Sequence, residues 1–367
     1  MSEFNEIMGT HPSGGMRVVF LYVGQGEATL VFAPNGEGKH VSILIDCNRA
    51  PKLGGIDIVK LLADALPLGD TGRPQLDVFI NTHPHADHFG GLAELRAAVD
   101  IDQVWHSGHK PGPDNQAGYQ ELKALTKTVK NAGGKVVEML GSRTATKLGD
   151  AHINVVSPAK HVSEDIGDED PEVRRRRIHE QCGVLRISIG DAPSRHGVLI
   201  TGDSDRTAWE EHITDYHGKD EDNRVAAEVM SASHHGSYTF FRHKRGDKGE
   251  ESCTKHLDQI APTDIIISAP DAKDSPFEHP HDEALDLYKN KVGEDGIHHM
   301  GSRGWSFIAD FKPDGTYEIW NDGGDLKGRY GLDVPDDGNG EGGGGKKNGG
   351  APTVISRVEK SRPMGSC

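Results

Sequence analysis

Hydrophobic positions come in short runs broken by Gly, Pro, Asn and Asp, and their spacing changes along the chain. Arg17 to Val23, Ala28 to Phe32 and Val41 to Ile45 are compact apolar runs. Their short links, Gly24-Gln25-Gly26-Glu27 and the turn Pro34-Asn35-Gly36, predict an antiparallel meander. From Ile56 the spacing becomes helical, with Val59, Leu61, Leu62, Ala65 and Leu66 continuing the pattern. Strands and helices then alternate: strand Leu76 to Asn81, helix Gly91 to Val99, strand Ile101 to Trp105, helix Tyr119 to Lys130, and strand Lys135 to Leu140 after the Gly133-Gly134 stop. Strands follow at Ile153 to Val156, Gly183 to Ile189 and Gly197 to Thr201, then a helix from Thr207 to about His217 and a strand Ala227 to Ser231. Helix Cys253 to Ile260, strand Thr263 to Ser268 and helix Glu283 to Lys291 lead to a closing hairpin, Trp305 to Phe311 with Thr316 to Trp320.

Two stretches break this pattern. Lys160 to Glu180 reads as irregular and charged, an acidic run (Glu164, Asp165, Asp168, Glu169, Asp170) followed by Arg174 to Arg177. Beyond Asn321 the periodicity fails, and Asp337 to Gly350 is mostly Gly, Asn, Asp, Glu and Lys. The expected organisation is an N-terminal extension over 1–16, one domain over 17–321 and a Gly-rich flexible tail over 322–367. Within the tail, Val354 to Val358 is a candidate strand for a protein partner, and Cys367 a terminal thiol.

A chain of 367 residues is long enough to bury a real core. Its formal net charge of -16 repels polyanions and membrane surfaces globally, so an anionic substrate must be met by local charge. Cys47, Cys182, Cys253 and Cys367 form no C-x-x-C pair, which argues against a disulfide framework and a thiolate zinc site. Met1 to Arg17 has no apolar core and no stretch is long enough to span a bilayer, so the expectation is a soluble, cytoplasmic protein.

The densest chemistry follows strand Leu76 to Asn81. His83, His85, Asp87 and His88 lie within six residues that end in Gly90-Gly91. Imidazole and carboxylate suit zinc, manganese or iron, and His83 and His85, two apart on an extended segment, point the same way. Asp203, His234-His235 and His279 also follow predicted strands. A sheet whose strands end on one edge brings such groups together, and Asp203 has two oxygens with which to bridge two ions. Asp46 ends a strand, where its carboxylate has two equal readings, orienting the histidines or capping the next turn. His179 is a further candidate ligand before strand Gly183 to Ile189; of His279 and His281, the first is favoured. One ring of His234-His235 is expected to face the metals and the other the leaving group, and the sequence leaves open which.

The motif His83-x-His85-x-Asp87-His88 resembles the H-x-H-x-D-H signature of metallo-β-lactamase fold hydrolases. Tyr22-Val23-Gly24-Gln25-Gly26-Glu27, Leu199 to Asp203, Ser233 to Ser237 and His279-Pro280-His281 are similar to blocks in the soluble hydrolase domain of ComEC-type competence proteins, over about Arg17 to Trp320. Glu27 stands where that family usually has Asp, and the family's membrane channel domain is absent, so DNA uptake is not implied. The resemblance implies an α/β fold, a four-layer αββα sandwich, with two divalent ions, Zn or Mn, at one edge. It assigns His83, His85, Asp87, His88, Asp203 and His279 to the metals and Asp46 to their support, and places His234 and His235 with Asp87 around the reacting group.

The expected activity is hydrolysis of a phosphodiester, with DNA and RNA among the candidate substrates, by a two-metal-activated hydroxide. Arg242, Lys244 and Arg245 would then hold flanking phosphates, with Phe240 or Phe241 offered for stacking on a base. The alternatives are hydrolysis of a cyclic nucleotide or other small ester, which needs a closed pocket, and a non-catalytic interaction module on the same fold.

Overall fold

The computed structural model describes residues 3–333 except 10, 12, 37, 160–169, 192–195 and 219–222, together with strand 358–361. Glu164 to Glu169 of the acidic run, the Gly-rich stretch of the tail and Cys367 lie outside the described residues.

The strands are β1 (Met16–Phe20), β2 (Thr29–Pro34), β3 (His40–Ile45), β4 (Gln75–Asn81), β5 (Asp100–His106), β6 (Lys135–Glu138), β7 (Thr146–Leu148), β8 (Ala151–Ser157), β9 (Val184–Ile189), β10 (His196–Ile200), β11 (Val229–Ser231), β12 (Asp264–Pro270), β13 (Ile297–Gly301), β14 (Phe307–Phe311), β15 (Thr316–Asn321) and β16 (Val358–Ser361). They build two sheets, ordered β16-β15-β14-β1-β2-β3-β4-β5-β6 and β13-β12-β11-β10-β9-β8-β7. β1, β2 and β3 pair antiparallel, as the short links between them require, whereas β3, β4, β5 and β6 run parallel. In the second sheet β10, β11, β12 and β13 are parallel.

Strand alternation builds the layers. On β12, Ile266 joins the large core shared by the two sheets, while Ile265 and Ile267 belong to a second cluster with Trp209, Leu257 and Tyr288 from the helical side. β10 does the same, Val198 and Ile200 facing one core and Leu199 the other. Strands covered on both faces read in sequence as unbroken apolar runs, which explains why Val18 to Val23 and Asp264 to Pro270 show no polar alternation. The result is the αββα sandwich.

Helices cross between the parallel strands: Ile58–Ala65 after β3, Leu92–Ala98 after β4 and Gln116–Asn131 after β5. In the other sheet, Ala208–Ile213 with Thr214–His217, then Lys255–Ile260, then Asp282–Val292 do the same. Asp57 caps the first of these by accepting from the Lys60 N–H at 3.2 Å. The carboxyl ends of β3, β4, β10, β11 and β12 therefore run on into the loops of the candidate site, the place where open parallel sheets bind ligands.

Several elements differ from the sequence expectation. Pro171–Glu180 is a helix inside the stretch read as irregular. Its residues favour helix individually but carry almost no apolar stripe, so periodicity could not reveal it. Helix Asp325–Tyr330 lies beyond Asn321, with Leu326 and Tyr330 buried, and the Asp57 N–H donates to Tyr330 O at 2.7 Å. Strand β16, which takes up Val358, pairs antiparallel with β15 of the same chain. At the other end, Phe4 and Ile7 of helix Glu3–Ile7 join the core. Among the described residues no helix is long and apolar enough to cross a membrane.

Candidate metal centre

β4 ends at Asn81, and the chain beyond it is pinned by Asp46, which follows β3 with a left-handed backbone (φ 57°). The Asp46 carboxylate accepts from the Thr82 N–H at 2.8 Å, Thr82 Oγ1 at 2.6 Å, Asn81 Nδ2 at 3.1 Å and His88 Nδ1 at 2.7 Å. A His88 proton committed to Asp46 leaves Nε2 turned to the opposite side, the carboxylate–histidine pairing found behind metal ligands. The Gln25-Gly26-Glu27 loop closes against this segment, with the Glu27 N–H donating to Asp87 O at 3.1 Å. Gly26 is required there: its φ is 122°, and a Cβ would stand 2.3 Å from Asp87 O.

Two sets of side chains meet across the sheet edge. His83, His85, His179 and Asp203 each offer one ligand atom within 4.8 Å of the others, and so do Asp87, His88, Asp203 and His235. In the first set His83 Nε2 and His179 Nε2 each lie 3.1 Å from His85 Nδ1, and Asp203 Oδ2 lies 3.5 Å from His83 Nε2. In the second, His88 Nε2 is 3.1 Å from Asp203 Oδ1, and His235 Nε2 is 3.3 Å from Asp87 Oδ2 and 3.6 Å from Asp203 Oδ1. Ligands about 2.0–2.1 Å from a tetrahedral ion stand roughly 3.3 Å apart. Asp203 gives one oxygen to each set.

The second set carries a sharper sign. His88 Nε2, Asp203 Oδ1 and His235 Nε2 are buried without a hydrogen-bond partner. Buried polar atoms are nearly always satisfied, and three such orphans converging on one point are the signature of a cation's seat. His235 is held for this by its other nitrogen, Nδ1, which donates to Ser268 O at 3.0 Å. The donor sets therefore fit divalent cations. Held there, such ions would polarise a substrate oxygen and acidify water.

The electrostatics describe a cavity dense in mutually coupled charge. Burial opposes ionisation of Asp203, but His234, His88, His235 and His83 outweigh it and hold the carboxyl well below its usual range. Burial likewise opposes charge on His88, yet Asp203 and Asp46 raise it. Burial with the His83 charge lowers His85 to about 3, and burial with the His234 and His85 charges lowers His179. Neutral imidazoles are the ligand form. Glu27, buried behind His235 with Oε1 unpaired and 3.8 Å from Nδ1, is pushed up to about 7 by burial.

Residues 21–245 match the sequence model of the Metallo-beta-lactamase superfamily. The chain belongs to the metallo-β-lactamase superfamily. No curated protein matches it. Solved structures with a similar fold include the metallo-β-lactamase fold protein YhfI from Bacillus subtilis, 15% identical over 78% of this chain and 95% of that one, with a TM-score of 0.43. A diphosphatase from the PhnP family is 12% identical over 77% and 94%, TM-score 0.36. The metallo-β-lactamase GOB-18 from Elizabethkingia meningoseptica is 14% identical over 80% and 96%, TM-score 0.31. Such distances carry no inference about substrate. Membership in the superfamily points to a metal-dependent hydrolase.

Within this metallo-β-lactamase domain the other sequence-selected residues take distinct places. His234, also left-handed (φ 49°), stands beside the first set: its Nε2 is 3.5 Å from Asp203 Oδ2 and its Nδ1 is 3.0 Å from Thr239 Oγ1. His279, read from sequence as a ligand, lies outside both sets, its ring 5.2 Å from His234 and 6.0 Å from His235, with Nδ1 3.3 Å from Gln25 Nε2. His281 Nδ1 accepts from the Tyr238 N–H at 3.2 Å. Arg245 pairs with Glu278 at 2.5 Å, Arg242 donates to Glu250 O, and Lys244 is exposed. Phe240 and Phe241 are fully buried against His256 and Tyr288, which removes both as stacking surfaces for a base.

Some contributors gave no sequence signal. Buried Cys182 accepts from the Asp203 N–H at 3.2 Å and lies 3.4 Å from His83 Nδ1, and Gly202 leaves room for its sulfur. No pattern near Cys182 announces this contact with residues 21 and 99 positions away.

Proposed function

We propose that this protein is a phosphodiesterase whose two divalent ions, zinc or manganese, are held by His83, His85, His179 and Asp203 on one side and Asp87, His88, Asp203 and His235 on the other. The observation that carries this reading is the shared carboxylate of Asp203 between two four-residue sets. Two ions so linked suit in-line displacement at phosphorus, where attacking and leaving oxygens both gain charge. In the protein's own chemistry, Asp46 orients His88, Ser268 orients His235, and His234 faces the reacting phosphoryl group from the half-buried rim. Its pKa is lowered to about 4, chiefly by burial, so it enters as a neutral hydrogen-bonding group. The likeness to the hydrolase domain of ComEC-type proteins adds polynucleotides to the candidate substrates.

A specific observation favours a small diester over a polynucleotide. Arg245 faces Glu278 and Glu283, and Arg206 in the same region faces Glu210 and Glu250. Cations already answered by carboxylates do little to track a phosphate backbone, and the net charge of -16 acts the same way. The test is to load the full chain with zinc or manganese and offer plasmid, single-stranded DNA, RNA, cyclic nucleotides and bis-p-nitrophenyl phosphate. Hydrolysis of the small diesters is expected. Inactivity toward every phosphodiester with both metals would overturn the phosphodiesterase reading, and efficient cleavage of polynucleotides alone would overturn the preference for small substrates.

A further inference from the structure

The loop from Asp271 to His281 carries a side chain that the metal centre does not explain. Phe277 is 57% exposed, and of the three large hydrophobic side chains exposed among the described residues it alone lies on a segment entering the candidate site; the others are Leu68 and Tyr216. Leaving a phenyl ring in water forgoes the favourable transfer that burial would contribute. A single exposed apolar residue is ordinary on a protein surface. Here the backbone beneath it is tied on every side. The Ser275 N–H donates to Asp271 O at 3.0 Å, and Ser275 Oγ donates to Gln25 Oε1 at 2.9 Å. The same Oγ accepts from the N–H groups of Phe277 at 3.2 Å and His279 at 3.1 Å. Glu278 is left-handed (φ 59°) and its carboxylate is gripped by Arg245, while the His281 N–H donates to Gly236 O at 3.1 Å. The ring is thus presented outward by a loop anchored to the Gln25 segment and to the residue after His235.

Its position continues a file of aromatic rings. Phe277 lies 5.9 Å from His279 at an interplanar angle of 34°, and His279 in turn lies 5.2 Å from His234 and 6.0 Å from His235. His281 and Tyr238 extend the file sideways at 4.8 Å and 5.2 Å. From the candidate ligands toward solvent, this side is a file of rings, edge-on between His234 and His279 (72°) and tilted between His279 and Phe277 (34°). The flanking cation, Arg245, is already answered by Glu278, so this flank suits a ring better than another phosphate.

We propose that Phe277, backed by His279, is a stacking subsite for a planar ring, such as a nucleobase, carried by the phosphoester substrate. This rests on the phosphodiesterase reading of the adjoining centre, and it adds that the substrate bears its ring one aromatic step outside the ions. Ring stacking on an aromatic side chain is sequence-tolerant, so the subsite selects for a base without choosing among bases.

The experiment compares full-length, metal-loaded wild type with Phe277→Ala and Phe277→Trp, measuring calorimetric binding of adenosine 5'-monophosphate and of ribose 5-phosphate, and the kinetics of a cyclic nucleotide. Phe277→Ala is expected to weaken adenosine 5'-monophosphate about tenfold and raise KM comparably, with kcat and ribose 5-phosphate binding unchanged; Phe277→Trp restores both. Phe277 is exposed, so its removal leaves the core intact. Equal affinity for adenosine 5'-monophosphate in Phe277→Ala and wild type would overturn the subsite even where diesters are hydrolysed. Absence of diester hydrolysis in wild type, with ring-dependent binding still lost in Phe277→Ala, would overturn the phosphodiesterase reading and keep the subsite.

Discussion

Asp46 shows how much of this centre depends on a residue that touches no ion seat. Its two oxygens collect four donors, and one of them is the nitrogen that turns His88. Asp46→Asn keeps the left-handed backbone, which Asn tolerates, and loses the charge that fixes the His88 tautomer. The expected outcome is metal affinity weaker by about 10–100-fold with an unchanged circular dichroism spectrum, read by competition against a chelator. An affinity equal to wild type would mean that His88 needs no support. At this scale the sequence was most legible where candidate ligands cluster: His83, His85, Asp87 and His88 stand within six residues. His179 was not so visible. It sits in a segment without apolar rhythm, and its nitrogen is 3.1 Å from a histidine 94 positions away.

Among the elements, the strand ends decide what the residues can do. β9 and β10 are antiparallel neighbours, and this pairing brings Cys182, just before β9, beside Gly202 and Asp203, just after β10. Gly202 has φ 50°, and a Cβ there would lie 2.5 Å from Cys182 Sγ and 3.2 Å from Gly183 O. Gly202→Ala must strain the backbone or displace the sulfur that receives the Asp203 amide. We expect a loss of about 1–3 kcal/mol in urea unfolding and a drop in bound metal; unchanged values for both would show that the turn relaxes freely. Apolar runs announced the strands because most are buried on both faces, while the helix Pro171–Glu180 stayed hidden because its burial near the site rests on Ile178 and His179.

At the scale of the whole molecule, the candidate ligands are drawn from both sheets. His83 to His88 come from the nine-stranded sheet, and Asp203 and His235 from the seven-stranded one. Ions that bind only this assembled arrangement stabilise the fold by mass action, about 2.7 kcal/mol per site at a hundredfold excess over the dissociation constant. Thermal unfolding is expected to move up with zinc or manganese and down with a chelator, and the gain to vanish as acid protonates the histidines. A melting temperature indifferent to metal would show that the two sets do not bind ions in the folded state. Taken alone, the sequence determined the αβ alternation, the presence of metal-type ligands after strands and the deficit of free positive charge, because these depend on residue type and on spacing within a single element. Only the tertiary structure decided that Asp203 offers one oxygen to each set, that His179 and His235 complete them while His279 stands outside, and that Phe277 rather than Phe240 or Phe241 faces solvent. Those facts depend on which strand ends become neighbours and which side of a loop is covered, and such long-range packing leaves no local periodicity in the chain.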